Sequence, residues 1–347
     1  MPFFCIPTDM KIGLIFFLFS IRILAQIPAL DGKLLTAQEL ARYCSGQLEA
    51  PKILLDSIFW ERRFLGLDAS FYATYAPRRG KNVRVVVIDA GVFHPHISLM
   101  AQDYMVYNHN FCTHGTSEQH LPTISAGPLR NTVQFYCANH GNCVAGLIAG
   151  KSDVFCGIAP DVDIIAYKIF DHTGRTHRKS LLAALEAASV RHADIINISA
   201  SFGAVVAHDD EVVRALNKCA DGGALVVVPE QVPCMHPRIV RVSAHGPVLE
   251  NTKKVYKTHS FIRLPGKNIL SCAIDPHHPE TPLFMFMSGT SIATACMTGL
   301  LALLIGESRS RLSPQNLLTL CYQSTYDQGQ HDALFDVVSV FKKIQSY

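Results

Sequence analysis

Three side chains stand far apart in the chain at positions where each could do chemistry. They are Asp89 in "VVVIDAG", His140 in "NHGNCVAG" and Ser291 in "SGTSIATA". Alone, each has an ordinary reading. A carboxylate at a strand end caps a turn, a histidine before glycine fills a helix start, and a hydroxyl at a helix mouth satisfies orphan N–H groups. Together they form a chemical unit. An aspartate orients and stabilises an imidazole, the imidazole takes the proton of a hydroxyl, and the hydroxyl attacks a carbonyl. The separations of 51 and 151 residues are long enough for one domain to fold all three onto one site.

The elements that must hold them follow an alternating pattern. "VRVVVIDAG" (83–91) is a continuous β-branched run, the signature of a strand buried on both faces of a parallel sheet. Further strands are expected at "DIIAYKIF" (163–170), "ADIINIS" (193–199), "ALVVVP" (224–229) and "RIVRVSA" (238–244). Helices are expected at "HGNCVAGLIAG" (140–150), "HRKSLLAALEAASVRH" (177–192) and "HDDEVVRALNKCADGG" (208–223), the last opening on acids and ending in glycine. "TAQELARYCSGQLE" (36–49) is a short amphipathic piece, and the apolar run Ile292 to Ile305 is too short to span a bilayer and reads as a core helix. This spacing predicts a doubly wound α/β domain, a mostly parallel sheet with helices on both faces.

The three motifs and their flanks closely resemble the subtilisin-like serine peptidases, the subtilase family, from about residue 83 to 344. Asp89 matches the aspartate of D-[ST]-G, His140 the histidine of H-G-T-H, and Ser291 the serine of G-T-S-M-A. "GIAPDVDIIAYKIFDHTG", "ADIINISASFG", "LPGKNILS" and "LSPQNLL" resemble four further family segments. The resemblance implies a subtilisin-like fold and an Asp89, His140, Ser291 catalytic triad. It also implies a substrate-binding strand at Ser199, Ala200, Ser201, Phe202 and Gly203, where the family carries Ser-Leu-Gly-Gly. For the oxyanion hole it implies Gln231 in place of the family's asparagine, joined by the Thr290 hydroxyl and the Ser291 N–H. A one-residue shift would put the acceptor-only carboxylate of Glu230 there instead, and loss of such a donor costs about 10²–10³ in kcat. Ala90, Asn142, Cys143, Ala295 and Cys296 also depart from the family's motifs. Two readings stay open: a secreted serine endopeptidase working through an acyl-enzyme, or an impaired or inactive homologue acting as a binding or regulatory protein.

Length and composition bound the rest. The 347 residues, 49% of them apolar, can bury one large core or two modest ones. A net charge of +3 with no long basic block gives no electrostatic reason for a nucleic-acid or anionic-membrane partner; the expected partners are protein or peptide substrates. The 16 histidines are scattered or sit in pieces such as "HPH" and "DPHHP", without zinc-ligand spacing. No cofactor and no metal ligand set is expected, although family members often bind calcium. Lys11 followed by "IGLIFFLFSI" and "ILA" reads as a signal peptide over residues 1–25, with cleavage before Gln26, initiation at Met1 or Met10, and export to the extracellular space. Residues 26–80 then form an N-terminal extension or degenerate propeptide, and residues 81–347 the peptidase domain. Loss of Cys5 leaves an even ten of the 11 cysteines, some expected to pair in an oxidising compartment. The Asn197-Ile-Ser199 glycosylation pattern falls in a strand expected to be buried, hence unused.

Overall fold

The computed structural model describes residues 30–49, 54, 57–92, 107–111, 133–170, 174–200, 209–232, 236–246, 261–275, 278–308, 312–327 and 333–346. The segment 1–25, expected to be a signal peptide, lies outside these residues. The described chain begins with a short strand, β1 (Leu34–Thr36), and helix α1 (Ala37–Cys44). Thr36 and Glu39 close a reciprocal capping box at the start of α1, which fixes where the amphipathic piece turns helical. Helices α2 (Trp60–Leu65) and α3 (Ala69–Tyr75) follow, then β2 (Arg84–Asp89) and β3 (Tyr107–Asn110).

From there the expected alternation is realised. Helix α4 (Val133–Ala149) precedes β4 (Asp163–Lys168), α5 (Arg178–Ser189), β5 (Ile195–Ile198), α6 (Asp210–Asp221), β6 (Leu225–Pro229) and β7 (Ile239–His245). Next come β8 (Ile262–Pro265), β9 (Ile269–Asp275), β10 (His278–Met287), α7 (Thr290–Ser308) and α8 (Pro314–Gln323). The chain closes with β11 (Thr325–Asp327), β12 (Ala333–Phe335) and α9 (Val337–Gln345). Nine strands form the main sheet in the order β11-β12-β8-β7-β6-β5-β2-β4-β3, parallel throughout except for the terminal β11–β12 pair. The order reverses around β2, and the carboxyl ends of β2 and β5 flank the switch point where α/β folds keep their sites.

Alternation along β2 explains why its sequence is apolar without a break. Val85 and Val87 point into the core shared with α4 and α7, while Val86 and Ile88 point into the core shared with α5 and α6. Helix α7 is the centre of the first core. Every residue from Ser291 to Gly306 is buried. At 19 residues the helix is longer than the apolar run read from the sequence and by length and composition could cross a membrane, yet 89% of it is packed inside the protein, as expected of a core helix.

A second, antiparallel sheet of three strands, β1-β10-β9, has no counterpart in the sequence reading. Its strand β10 carries "LFMFM", apolar on both faces, so no alternation marks it. One face meets Leu35, Leu40, Leu54, Ile58 and Phe155 in a separate core, through Phe284 and Phe286. The other side contributes Met285 and Met287 to the core of α7. Described residues between 30 and 76 therefore pack into the same cores as later parts of the chain; Trp60, Leu65, Phe71 and Tyr72 join the α7 core directly.

The expectation of disulfides is corrected among the described residues. Cys44, Cys143, Cys156, Cys219, Cys272, Cys296 and Cys321 are all free. Five of these seven are buried within helices or strands, where they behave as small apolar side chains and their placement follows packing rather than pairing. Burial raises the thiol pKa of Cys143 and Cys296 well above the ordinary range and that of Cys219 and Cys321 to about 12. The side chains of Cys112, Cys137 and Cys234 lie outside the described residues. In native protein an alkylating reagent is expected to modify Cys44 and half-exposed Cys156, and to reach the five buried thiols only after unfolding; peptide mapping of native and denatured samples reads this directly.

Candidate active site

Asp89 ends β2 in full burial, 1% exposed, and its end of the strand is fixed by the neighbour β4. The Ile169 N–H donates to the Asp89 carbonyl at 2.9 Å, and the Ala90 N–H donates to Asp89 Oδ1 at 2.6 Å. The next residue, Gly91, has φ +92°, a backbone that only glycine adopts without strain. That turn allows an unusually close approach by helix α4. A Cβ added at Gly141 would lie 2.0 Å from the Gly91 carbonyl oxygen, so glycine is the one residue that fits after His140.

The approach delivers the imidazole to the carboxylate. His140 Nδ1–H donates to Asp89, with Nδ1 2.8 Å from Oδ1 and 3.0 Å from Oδ2. The His140 side chain keeps 21% of its surface exposed, against 1% for Asp89, so the ring bridges a buried charge and the open crevice. Burial alone would lower the imidazole pKa; the Asp89 charge and hydrogen bond outweigh it and raise the pKa above the usual histidine value. Sequence reasoning missed Lys168, the residue that pairs with Asp89 in the β2–β4 register. Its Nζ donates to the Ala90 carbonyl at 3.1 Å, bracing the turn from below. A lysine ending an otherwise apolar strand was the available signal.

Ser291 lies in the first turn of helix α7, beside the carboxyl end of β5, the strand next to β2. The Ile292 N–H donates to the Gly289 carbonyl, and the Gly289 N–H donates to the Gly266 carbonyl at 2.7 Å, which ties the turn to the β8–β9 connection. The helix is also fastened to β5, the strand beside β2. Ser199 Oγ lies 3.0 Å from the Ser291 carbonyl and 2.9 Å from Asn197 Oδ1, and Asn197 Nδ2 donates to Thr298 Oγ1 at 2.9 Å. Thr298 and Thr294 each donate back to the carbonyl four residues earlier, ending at Thr290. Asn197 is fully buried and its amide is spent on this chain of bonds, consistent with a glycosylation pattern that goes unused.

The remaining expected site residues divide. Ser199 and Ala200 are buried at the end of β5, with the Ser199 hydroxyl turned inward to α7; Ser201, Phe202 and Gly203 lie outside the described residues. Thr290 is half-buried beside Ser291. In the turn after β6, Gln231 is exposed, whereas Glu230 is half-buried and its Oε2 is a buried oxygen with no hydrogen-bond partner. Among the described residues no three His, Cys, Asp or Glu side chains gather in a way that could hold a metal ion.

The profile of the Subtilase family, Peptidase S8, matches residues 80–229 and 233–337 of this chain. The chain belongs to the subtilase family. Among curated proteins, this subtilase is 28% identical over 243 residues to the minor extracellular protease Epr of Bacillus subtilis, covering 65% of this chain and 32% of that protein. It is 25% identical over 246 residues to subtilisin-like protease 2 of Trichophyton rubrum, covering 67% of this chain and 52% of that protein. The chain thus spans only a third to a half of the length of these relatives. Among solved structures it shares a fold with fervidolysin from Fervidobacterium pennivorans, a keratinolytic enzyme related to subtilisin, at a TM-score of 0.61 and 19% identity over 83% of this chain and 46% of that one. The family match breaks at residues 230–232, the stretch on which the oxyanion expectation rests.

Gly141→Ala is the substitution that separates the site from the fold. Its Cβ cannot coexist with the Gly91 carbonyl, so α4 has to retreat, at a cost of about 1–3 kcal/mol by analogy with other overpacked sites. The expected result is a lowered urea midpoint together with loss of the downfield proton resonance of the His140 Nδ1–H bonded to Asp89.

Proposed function

We propose that the chain is a secreted serine endopeptidase in which Asp89, His140 and Ser291 act as a triad. The observation that carries this reading is the His140–Asp89 hydrogen bond of 2.8 Å, made by a partly exposed imidazole whose Nδ1 is committed to a buried carboxylate. With Nδ1–H donating, the neutral ring leaves Nε2 free of a proton and able to accept one. Ser291 sits at the first turn of α7, where free N–H groups favour a developing anion. His140 Nε2 would take the Ser291 proton as the hydroxyl attacks a peptide carbonyl, and Asp89 would stabilise the resulting imidazolium. The leaving amine would then receive that proton, and water would release the acyl group by the reverse path. Substrates are proteins or peptides. Export is supported by the apolar segment after Lys11 and by relatives named as extracellular proteases.

A second reading, an impaired subtilase that binds rather than cleaves, draws on one observation: the break in the family match at 230–232, with Gln231 exposed and the acidic Glu230 half-buried beside it. Covalent labelling by a fluorophosphonate probe separates the two. Labelling that disappears in Ser291→Ala supports the peptidase; a wild type that resists the probe overturns it.

The base mechanism sets the pH response. Only neutral His140 accepts the serine proton, and its pKa is raised, so kcat/KM should fall as pH drops through a value above the ordinary histidine range. Asp89→Asn should move that acid limb to lower pH, because the raising charge is gone while burial remains, and should cut kcat by about 10³–10⁴. Ser291→Ala and His140→Ala should each abolish nearly all turnover and the double variant should add little.

The donor question has its own test. Gln231→Asn should raise kcat with KM nearly unchanged if a shorter amide reaches the anion; a gain from Glu230→Asn alone makes position 230 the equivalent of the family's asparagine. Steady-state kinetics on both variants decide which.

A further inference from the structure

The N-terminal segment ends at the nucleophile's turn. Strand β1 pairs antiparallel with β10, Leu34 opposite Met285 and Thr36 opposite Leu283, and β10 runs straight into the turn that carries Ser291. Just before β1, the Gly32 N–H donates to the Phe286 carbonyl at 2.8 Å, and the Phe286 N–H donates back to the Lys33 carbonyl at 3.1 Å. Beyond these backbone bonds comes a side-chain relay. The Asn268 N–H donates to Ser288 Oγ at 2.8 Å, and the Ser288 hydroxyl donates to Asp31 Oδ1 at 2.7 Å. Ser288 is three residues before Ser291 and next to Gly289, whose N–H is held by Gly266.

We propose that Asp31 is a positioning residue for Ser291: through Ser288 it locks the Ser288–Gly289–Thr290 turn against the β8–β9 connection, making the N-terminal segment a working part of the catalytic unit.

The chemistry of the contact fits that role. Gly289 has φ +151° and Gly266 lies so close to it that an added Cβ would fall 2.9 Å from the Gly289 carbonyl, so the turn has little side chain of its own to hold it. Its place is set by hydrogen bonds from outside, and a displacement of about 1 Å at a reacting atom can cost 10²-fold. Asp31 is half-buried, and burial pushes its carboxyl up to about 7 against the Ser288 hydrogen bond. A carboxyl in either protonation state keeps an oxygen able to accept from Ser288, so the lock requires an acceptor at this point rather than a charge.

The proposal rests on the reading of Ser291 as nucleophile, and its test separates the two. In full-length exported protein, inactivation by a fluorophosphonate probe is measured as kinact and KI for the wild type, Asp31→Leu, Asp31→Asn and Ser288→Ala. Asp31→Leu and Ser288→Ala should each lower kinact about tenfold or more with KI nearly unchanged, and the double variant should fall no further than Ser288→Ala, because both break the Asp31–Ser288 bond and Ser288→Ala also removes the acceptor of the Asn268 N–H. Asp31→Asn retains the acceptor and should keep kinact within about twofold of wild type. Ser288→Ala leaves the N-terminal segment untouched and so covers the case of an Asp31→Leu chain that does not fold. Wild-type kinact in Ser288→Ala, or an Asn variant as slow as the Leu variant, overturns the proposal. If the wild type itself resists the probe, the peptidase reading fails and amide hydrogen exchange of residues 286–292 still decides the lock. Exchange about tenfold faster in both Asp31→Leu and Ser288→Ala and unchanged in Asp31→Asn supports it; exchange faster in Ser288→Ala alone, or equal in all four proteins, overturns it.

Discussion

A helix with no polar face must be surrounded on every side, and helix α7 is such a helix. From Ser291 to Gly306 it meets only protein, so its position is set by the strands and helices that enclose it. A buried apolar cylinder could still slide or turn in its sleeve. What fixes its register is the polar stitch on one side, Ser199 to the Ser291 carbonyl and Asn197 to Thr298. Buried polar groups without partners are costly, so a slip of the helix would take the Thr298 hydroxyl from Asn197 and the Ser291 carbonyl from Ser199 together. The start of α7, and Ser291 with it, is thereby referred to strand β5. Strand β5 in turn is paired with β2, whose end is Asp89.

The second member of the site is held by a different device. His140 reaches Asp89 because two glycines, Gly91 and Gly141, let backbone meet backbone where side chains would collide. Helix α4 is also tied to the small antiparallel sheet. Asn139 exchanges both amide hydrogen bonds with Ile274 of β9, and Ser271 donates to the Cys143 carbonyl at 2.7 Å. One hairpin therefore supports both sides of the site: β9 braces the helix that carries His140, and β10 leads into the turn that carries Ser291. The N-terminal segment completes that hairpin as a third strand, so residues near position 34 lie against the strand that leads to Ser291.

The electrostatics follow from burial. Asp89 is withdrawn from water but accepts from His140 and from the Ala90 N–H, so its charge is compensated by directed donors. His140 feels that charge strongly because little water lies between them. The turn after β6 is the point where this order lapses. There the family match breaks at residues 230–232, and the acidic side chain of Glu230 keeps a buried oxygen without a partner. An acceptor near an anion site works against acyl transfer, whereas a donor there supplies a large share of it. The tension between an intact pair at β2–α4 and an altered turn after β6 is the particular character of this subtilase.

The sequence by itself determined the layered α/β fold, and it marked Asp89, His140 and Ser291 as the candidate triad that the proposed function uses. Continuous β-branched runs and helix end signals are local properties, legible in any window of a few residues, and the motifs around Asp89, His140 and Ser291 carry their glycines with them. The antiparallel β1-β10-β9 sheet was not legible, because "LFMFM" is buried on both faces and shows no period, and because its partner strand lies about 250 residues away in the chain. The free state of the seven described cysteines was likewise undecided: an even count says nothing of distance, and only packing determines whether two thiols meet. The Asp31–Ser288 bond and the support of Lys168 under Ala90 belong to the same class. Each joins residues whose types are ordinary and whose separation in the chain is large, so the tertiary fold alone brings them into reach.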